Sequence, residues 1–459
     1  MRTRHKVARV EQWVLAEKSH RPRDARASQQ DYGVFKKSVP PHLAPNLETR
    51  HRISTGVLET YPSSSHFSYH CCFLAMAPTR VGIVGLKPKP PGVPDSMLSQ
   101  LPGYWAAGAH LPALKAMPQD YEVVAVCNSN IESATKAIET YGLGKSAKAY
   151  ADPNDLANDE NVDLVVISVN VGKHFMLAKP AILRKKDVFI EWPLGATLAE
   201  AEELTKMAED AGVRTSVGVQ TRADPLVVKT KEIIESGKIG KVVNSSVLIS
   251  SSMLPGAMWV EGGEYYLDWK SGGNEFSIWL GHFLDSFIHV LGDFTDVNAI
   301  MKMGATEVAI INTKGEVIDP GYPKTAPENI LIQGILESGA VASISQRKSK
   351  NEIDDISFRW IISGTEGELE VLVPKNFWQF GVTTRSLKVK IGSNEAEAVD
   401  FIGKEDKFES KVPMLAANPA RQYDAFARGD NSRVADFKSA LKTHVLLDRI
   451  VKAAGWESV

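Results

Sequence analysis

The stretch GGNEFSIWLGHFLDSFIHVLG (272–292) holds the densest grouping of residues able to move protons. His282, Asp285, Ser286 and His289 recur at i, i+3, i+4 and i+7, which places them on one face of a helix. An imidazole and a carboxylate one turn apart make an acid/base or hydrogen-bonding pair. The same stripe fits the solvent side of an amphipathic helix. Phe276, Ile278, Trp279, Leu280, Phe283, Leu284, Phe287, Ile288 and Leu291 make the other faces so apolar that a cleft-facing stripe is preferred. Just upstream, GGEYYLDWK (262–270) supplies Tyr265, Tyr266, Asp268 and Lys270. With His282, these suit a cleft for a polyhydroxylated ligand, plain aromatic packing being the alternative.

A second grouping depends on the elements that would carry it. RVGIVGL (80–86), VVAVCN (123–128), LVVISV (164–169), DVFIEW (187–192) and TSVGVQ (215–220) are short, apolar, β-branched runs separated by helical patterns. That alternation predicts an α/β fold with an N-terminal Rossmann-type doubly wound parallel sheet. Right-handed crossovers then bring every strand C-terminus to one edge. Gly82, Gly85, Leu86 and Lys87 fall at the first turn, where glycine lets the backbone approach a pyrophosphate at a helix N-terminus. Lys87 stands at the second glycine position, and a Pro-rich insertion follows before a helix begins near Tyr104–Ala106. Ala106 or Gly108 is the candidate close-packing residue.

Further along the same edge lie Asn128, then Ser168, Val169, Asn170 and His174, then Glu191 and Trp192, then Gln220. All are candidate cofactor contacts. Asn170 reads equally as a helix cap, and His174 as a first-turn surface residue. Asn128 stands where an acid would hold the ribose 2′-hydroxyl, so nothing repels a 2′-phosphate. The expected cofactor is NAD or NADP.

After about residue 235 the pattern becomes KVVNSSVLIS, EVAIIN, NILIQGILESGAVASISQR, FRWIISGTEGELEVLVP and LKVKIG. Glycine-containing turns between such runs predict a large, mostly antiparallel open sheet in an α+β domain. A final helix over 438–454 is expected to pack back on the body. The expected organisation is an extension over 1–76, a Rossmann NAD(P)-binding domain over 77–220 and an α+β domain over 221–459. The first 76 residues are rich in Arg, His, Ser and Pro, and read as disordered or as an over-extended gene model.

The 459 residues carry a net charge of −2, which gives no overall attraction to nucleic acid or an anionic membrane. No zinc-finger spacing, basic zipper, metal-ligand spacing or nucleophile elbow occurs. Three cysteines point to a reducing compartment, and no apolar run spans a bilayer. The expected location is cytoplasmic, with the nucleus as an addition.

The pieces RVGIVGL, HLPAL, VVAVC, LVVISVNVGKH, FIEWPLGATLAEAEEL, ESGKIGKVV and GHFLDSF together resemble the glucose–fructose oxidoreductase/inositol dehydrogenase family. The resemblance implies nicotinamide dinucleotide binding and a fourth strand ending in Glu-Lys-Pro, whose lysine serves proton transfer. Here Trp192 stands at the lysine position, and Ile278 replaces the aspartate four residues before His282. The branch showing this departure comprises fungal galactose-regulon co-repressors, matched also by YYLDWKSGGNEFSIWLGHFLDSF and GYPKTAPENILIQG. That branch implies a cofactor or metabolite sensor that binds a transcription activator and forms a homodimer or higher oligomer. The alternative is an active oxidoreductase on a sugar or polyol, with His282 and Asp285 as its catalytic groups.

Overall fold

The computed structural model describes residues 77–95, 98, 101–250, 257–348, 356–374, 378–381, 384–403 and 406–456. The expectation for residues 1–76 lies outside the described residues. The first sheet consists of β1 (Thr79–Val84), β2 (Tyr121–Cys127), β3 (Lys148–Tyr150), β4 (Leu164–Ile167), β5 (Asp187–Ile190) and β6 (Thr215–Val217). Its order is β3-β2-β1-β4-β5-β6, and each pairing is parallel. The chain leaves β1 for β2 on one side, and β4 lies on the other. This reversal opens a crevice at their C-terminal ends.

Helices α1 (Leu111–Lys115), α2 (Ile131–Tyr141), α3 (Pro153–Asn158), α4 (His174–Leu183) and α5 (Leu198–Ala211) connect these strands. Their limits follow local chemistry. Asn130 and Thr197 cap α2 and α5 by accepting N–H bonds from Ser133 and Glu200, and the left-handed Gly142 and Gly212 close them. The strands are shorter at their C-terminal ends than their apolar runs suggested. Residues 168–169 and 191–192 therefore belong to the connecting loops.

Beyond α6 (Pro225–Glu235) come β7 (Val242–Ser250), β8 (Met258–Val260), α7 (Gly281–Leu291), β9 (Phe294–Lys302), β10 (Glu307–Ile311) and β11 (Val317–Pro323). These are followed by β12 (Asn329–Leu336), β13 (Val341–Arg347), β14 (Ile356–Gly364), β15 (Gly367–Pro374), β16 (Ser386–Ile391) and β17 (Glu397–Ala398). An eight-stranded sheet runs β17-β16-β15-β14-β7-β13-β12-β9, with a smaller sheet of order β11-β10-β8. The large sheet is antiparallel except where β13 meets β7.

One face of the large sheet is covered by α7, whose Phe283 and Phe287 pack on Phe358, Trp360 and Trp378. The chain then returns to the first domain. Tyr423 and Phe426 of α8 (Ala417–Arg428) join the core built on Val81, Leu111 and Phe189, and Ala435 bridges to Val217. The last helix, α9 (Phe437–Ala453), lies against α5 and β9.

Candidate functional site

The turn after β1 is made by Gly85 alone. Its φ is +95°, and a Cβ there would lie 2.4 Å from the Ser168 carbonyl oxygen. Gly82, expected to share this role, lies within β1 instead. Its missing side chain leaves room for Leu156, whose Cδ1 would be 2.8 Å from a Cβ. Leu86 is buried, while Lys87 is exposed with its ammonium 5.3 Å from the Tyr104 ring centroid. Asn128 donates to the Leu86 carbonyl at 2.8 Å and lies 3.1 Å from Ser133 Oγ, so it holds the turn from the end of β2. Ala106 is buried in the first turn after the insertion, which winds widely over Ala106–His110 before α1.

Across the crevice, Ser168 is buried and Val169 half-buried. Asn170 accepts the Gly172 N–H at 3.0 Å and so caps the turn leading into α4. His174 is not a surface residue. It is buried, with Nδ1 2.8 Å from the Pro193 carbonyl and Nε2 3.1 Å from the Val169 carbonyl, and burial lowers its pKa. It thus ties the β4 loop to the β5 loop. Gln220 is buried at the start of a short turn after β6.

Glu191 and Trp192 follow β5. Trp192 is 4% exposed, and its indole N–H donates to the Ser277 carbonyl at 2.8 Å. The ring lies 4.8 Å from His444 and directly against Gly281, where a Cβ would sit 2.7 Å from Nε1. The Glu191 side chain, 15% exposed, lies opposite Gly218 and has Oε1 2.8 Å from His110 Nε2. His110 Nδ1 in turn meets the Tyr423 hydroxyl at 2.8 Å.

The polar stripe of α7 is buried rather than solvated, but its expected pair does not form. Both Asp285 oxygens receive bonds from the Arg222 guanidinium at 2.7 Å, and Thr443 adds a third at 3.1 Å. Ser286 bonds to Thr221 and accepts from Trp378. A carboxylate held this way by a guanidinium is a structural clamp, not a partner for His282. His282 is buried with Nδ1 unpartnered among the described residues, and burial pushes its pKa down to about 4, partly offset by Glu191 and Asp285. A neutral imidazole results near pH 7.

Tyr265 and Tyr266 are half-buried with ring centroids 4.6 Å apart, and Tyr266 sits beside Trp259 and Trp279. Burial raises both phenol pKa values. Asp268 and Lys270 stay exposed. Asp268 caps the next turn by accepting the Lys270 N–H at 3.0 Å, which ties up one of its oxygens locally. Sequence reasoning missed His110, Tyr423 and the buried Glu275–Lys348 pair at 2.5 Å. His110 stood in the HLPAL run, whose single polar residue was its signal. Tyr423 gave none, because its helix returns from more than two hundred residues away.

Among the described residues, no helix is long and apolar enough to cross a membrane, and no group of three potential metal ligands occurs. At the crevice Gly85 takes the left-handed backbone of a tight strand-to-helix turn, which lets the chain after β1 close on the Ser168 carbonyl and Val169, and no carboxylate occupies the end of β2.

Residues 102–219 match the family model described as oxidoreductase family, NAD-binding Rossmann fold, and 225–372 match that of the Gal80p C-terminal domain. Dehydrogenase aclE of Aspergillus oryzae is 29% identical over 82% of this chain and 96% of its own length. The galactose/lactose metabolism regulatory protein GAL80 of Kluyveromyces lactis is 27% identical, and the match spans 64% of each protein. A super-repressor mutant of Gal80p from Saccharomyces cerevisiae superposes with a TM-score of 0.70, covering 83% of this chain and 97% of that one. At 21% identity this last likeness shows the fold. The chain therefore carries, over residues 102–219, a domain of the NAD-binding Rossmann-fold oxidoreductase (GFO/IDH/MocA) type and, over residues 225–372, a domain of the Gal80p C-terminal type.

Proposed function

We propose that this protein is a nicotinamide-dinucleotide-binding regulator, in which an oxidoreductase fold serves as a metabolite sensor and protein-docking module. The observation that carries this reading is Trp192. The side chain after Glu191 is an indole with its only polar hydrogen committed to Ser277 and its ring wedged against Gly281. An indole neither accepts nor releases a proton near neutral pH. Asp285 is spent on Arg222, and His282, with a pKa near 4, is a weak base at pH 7. General acid–base help is typically worth about 10²–10⁴ in rate. A site without a matched acid or base keeps its ligand instead of turning it over.

In this reading Gly85, Leu86 and Lys87 face the pyrophosphate, Asn128 the adenosine ribose, and Ser168, Val169, Asn170 and His174 the crevice wall. Ala106 and Gln220 pack beneath it. Glu191 and Trp192 border the nicotinamide, which supplies a hydride-accepting ring when bound. Tyr265, Tyr266, Asp268, Lys270 and His282 line the cleft beyond, where a sugar-like metabolite or a segment of an activator protein binds. The absence of an acid beside Asn128 supports acceptance of NADP as well as NAD.

A second reading has its own support. The match to a dehydrogenase extends over nearly that protein's whole length, and Glu191 remains as a carboxylate beside the crevice. On that reading the protein oxidises a sugar or polyol with His282 as its proton acceptor. Titrating the protein with NAD and NADP while following tryptophan fluorescence tests what both readings share. Saturable quenching at micromolar dinucleotide is expected, and no quenching by either cofactor contradicts both.

A further inference from the structure

A carboxylate, an imidazole and a phenol form a buried line beneath the C-terminal end of β5. Glu191 Oε1 lies 2.8 Å from His110 Nε2, and His110 Nδ1 lies 2.8 Å from the Tyr423 hydroxyl. His110 is fully buried, edge-on to Phe189 at 5.3 Å. Tyr423 stacks on the same Phe189 at 4.6 Å, and its carbonyl accepts the Tyr121 hydroxyl at 2.7 Å. The far side of the carboxylate is closed by Gly218, where a Cβ would lie 2.4 Å from Oε1 and 2.7 Å from Oε2.

The carboxylate is thus bounded on two sides, by the His110 ring edge and by Gly218. No donor among the described residues bonds Oε2, and the side chain keeps a share of its surface open. Burial keeps the Tyr423 phenol protonated, and its hydroxyl shares a hydrogen bond with His110 Nδ1 at 2.8 Å. His110 Nε2, on the opposite edge of the ring, lies against Glu191 Oε1. Tyr423 therefore holds the imidazole from the edge opposite Glu191.

We propose that His110 and Tyr423 are positioning residues that hold Glu191 so that its free oxygen accepts a hydrogen bond from the carboxamide N–H of a bound nicotinamide. This makes α8, from the far end of the chain, part of the dinucleotide site. The proposal rests on the dinucleotide-binding reading above. A carboxamide is the one group on the nicotinamide ring that offers such a donor, and a fixed carboxylate discriminates strongly for it.

Calorimetric titration with NAD and with 3-acetylpyridine adenine dinucleotide, whose methyl ketone has no N–H, tests this. The unaltered protein is expected to bind NAD more tightly than the analogue. Glu191→Gln and His110→Leu should each weaken NAD by about tenfold or more while changing the analogue little, so the preference disappears. His110→Gln, which keeps a donor near the Nε2 position, should restore most of it, and Tyr423→Phe should lose a few-fold. Thermal unfolding of each variant reports its folding separately, and the two milder variants decide the matter if His110→Leu does not fold. Equal weakening of both dinucleotides in the His110 variants, or none, overturns the proposal and leaves the dinucleotide-binding reading intact. Failure of the unaltered protein to bind either dinucleotide overturns both.

Discussion

Trp192 and Gly281 form one unit, because the indole fills the space that a side chain at 281 would need. Gly281 has an ordinary helical φ of −59°, so the constraint on it is steric and not conformational. Gly281→Val should therefore displace Trp192 and cost about 1–3 kcal/mol, read as a lower urea midpoint. Trp192→Ala should cost about 3–5 kcal/mol by opening a cavity and should weaken dinucleotide binding. A Gly281→Val protein as stable as the original would show that Trp192 does not pack there. The type of residue at 192 was legible in the sequence, since a tryptophan after Phe-Ile-Glu departs plainly from a lysine. Its burial against α7 was not, because Ser277 and Gly281 lie more than eighty residues away. Gly82 was misread for a related reason. A glycine near a turn gives the same signal whether it serves a ligand or, as here, the packing of Leu156.

Helix α7 shows how an element can be read correctly while its chemistry is not. Periodicity placed His282, Asp285 and Ser286 on one face, and the face is buried as preferred. The partner that claims Asp285 is Arg222, on the short turn after β6, and periodicity within one helix carries no information about another element. Breaking a buried, bidentate pair leaves a charge without a counterion and costs about 3–5 kcal/mol. Asp285→Ala should therefore lower stability by that amount before it changes any ligand affinity, as denaturant titration beside dinucleotide titration would reveal. Dinucleotide binding lost with stability unchanged would make Asp285 a site residue instead. The strands with long apolar runs were all legible. Edge strand β3, with three residues, and β8, also three, were not, because so short a segment shows no period. Helix α8 was missed as well, its apolar face being built largely of alanines.

The whole molecule is sensitive to acid through its buried and half-buried histidines. His282, His289 and His444 are each pushed down to about 4, chiefly by burial, against an ordinary value of 6.5. Between those values the unfolded chain binds protons that the folded one refuses. Stability is thus complete above pH 6.5 and falls as pH drops toward 4, by on the order of 1–3 kcal/mol per histidine. Thermal unfolding from pH 7.5 to 4.5 should show a steady decline, and a flat profile would contradict the burial of these rings. The uncovered face of the large sheet is a second property of the whole. Ile300 is 64% exposed and Leu331 49%, they pair across β9 and β12, and the row continues through Ser345 to Leu248. Exposed Ile300, Leu331 and Leu248, with Ser345 between them, make a largely apolar row of the kind at which monomers associate. We expect a homodimer through this face, so that Ile300→Lys with Leu331→Lys halves the mass seen by sedimentation, and an unchanged mass rejects the assignment. On the proposed reading, the fold binds a dinucleotide without turning it over. The most direct measurement is absorbance at the reduced-nicotinamide band, using near-stoichiometric protein saturated with NAD or NADP and a mixture of sugars, polyols and sugar acids. The account predicts bound cofactor and no reduction, whereas steady multiple turnovers would contradict it and make the protein a working oxidoreductase.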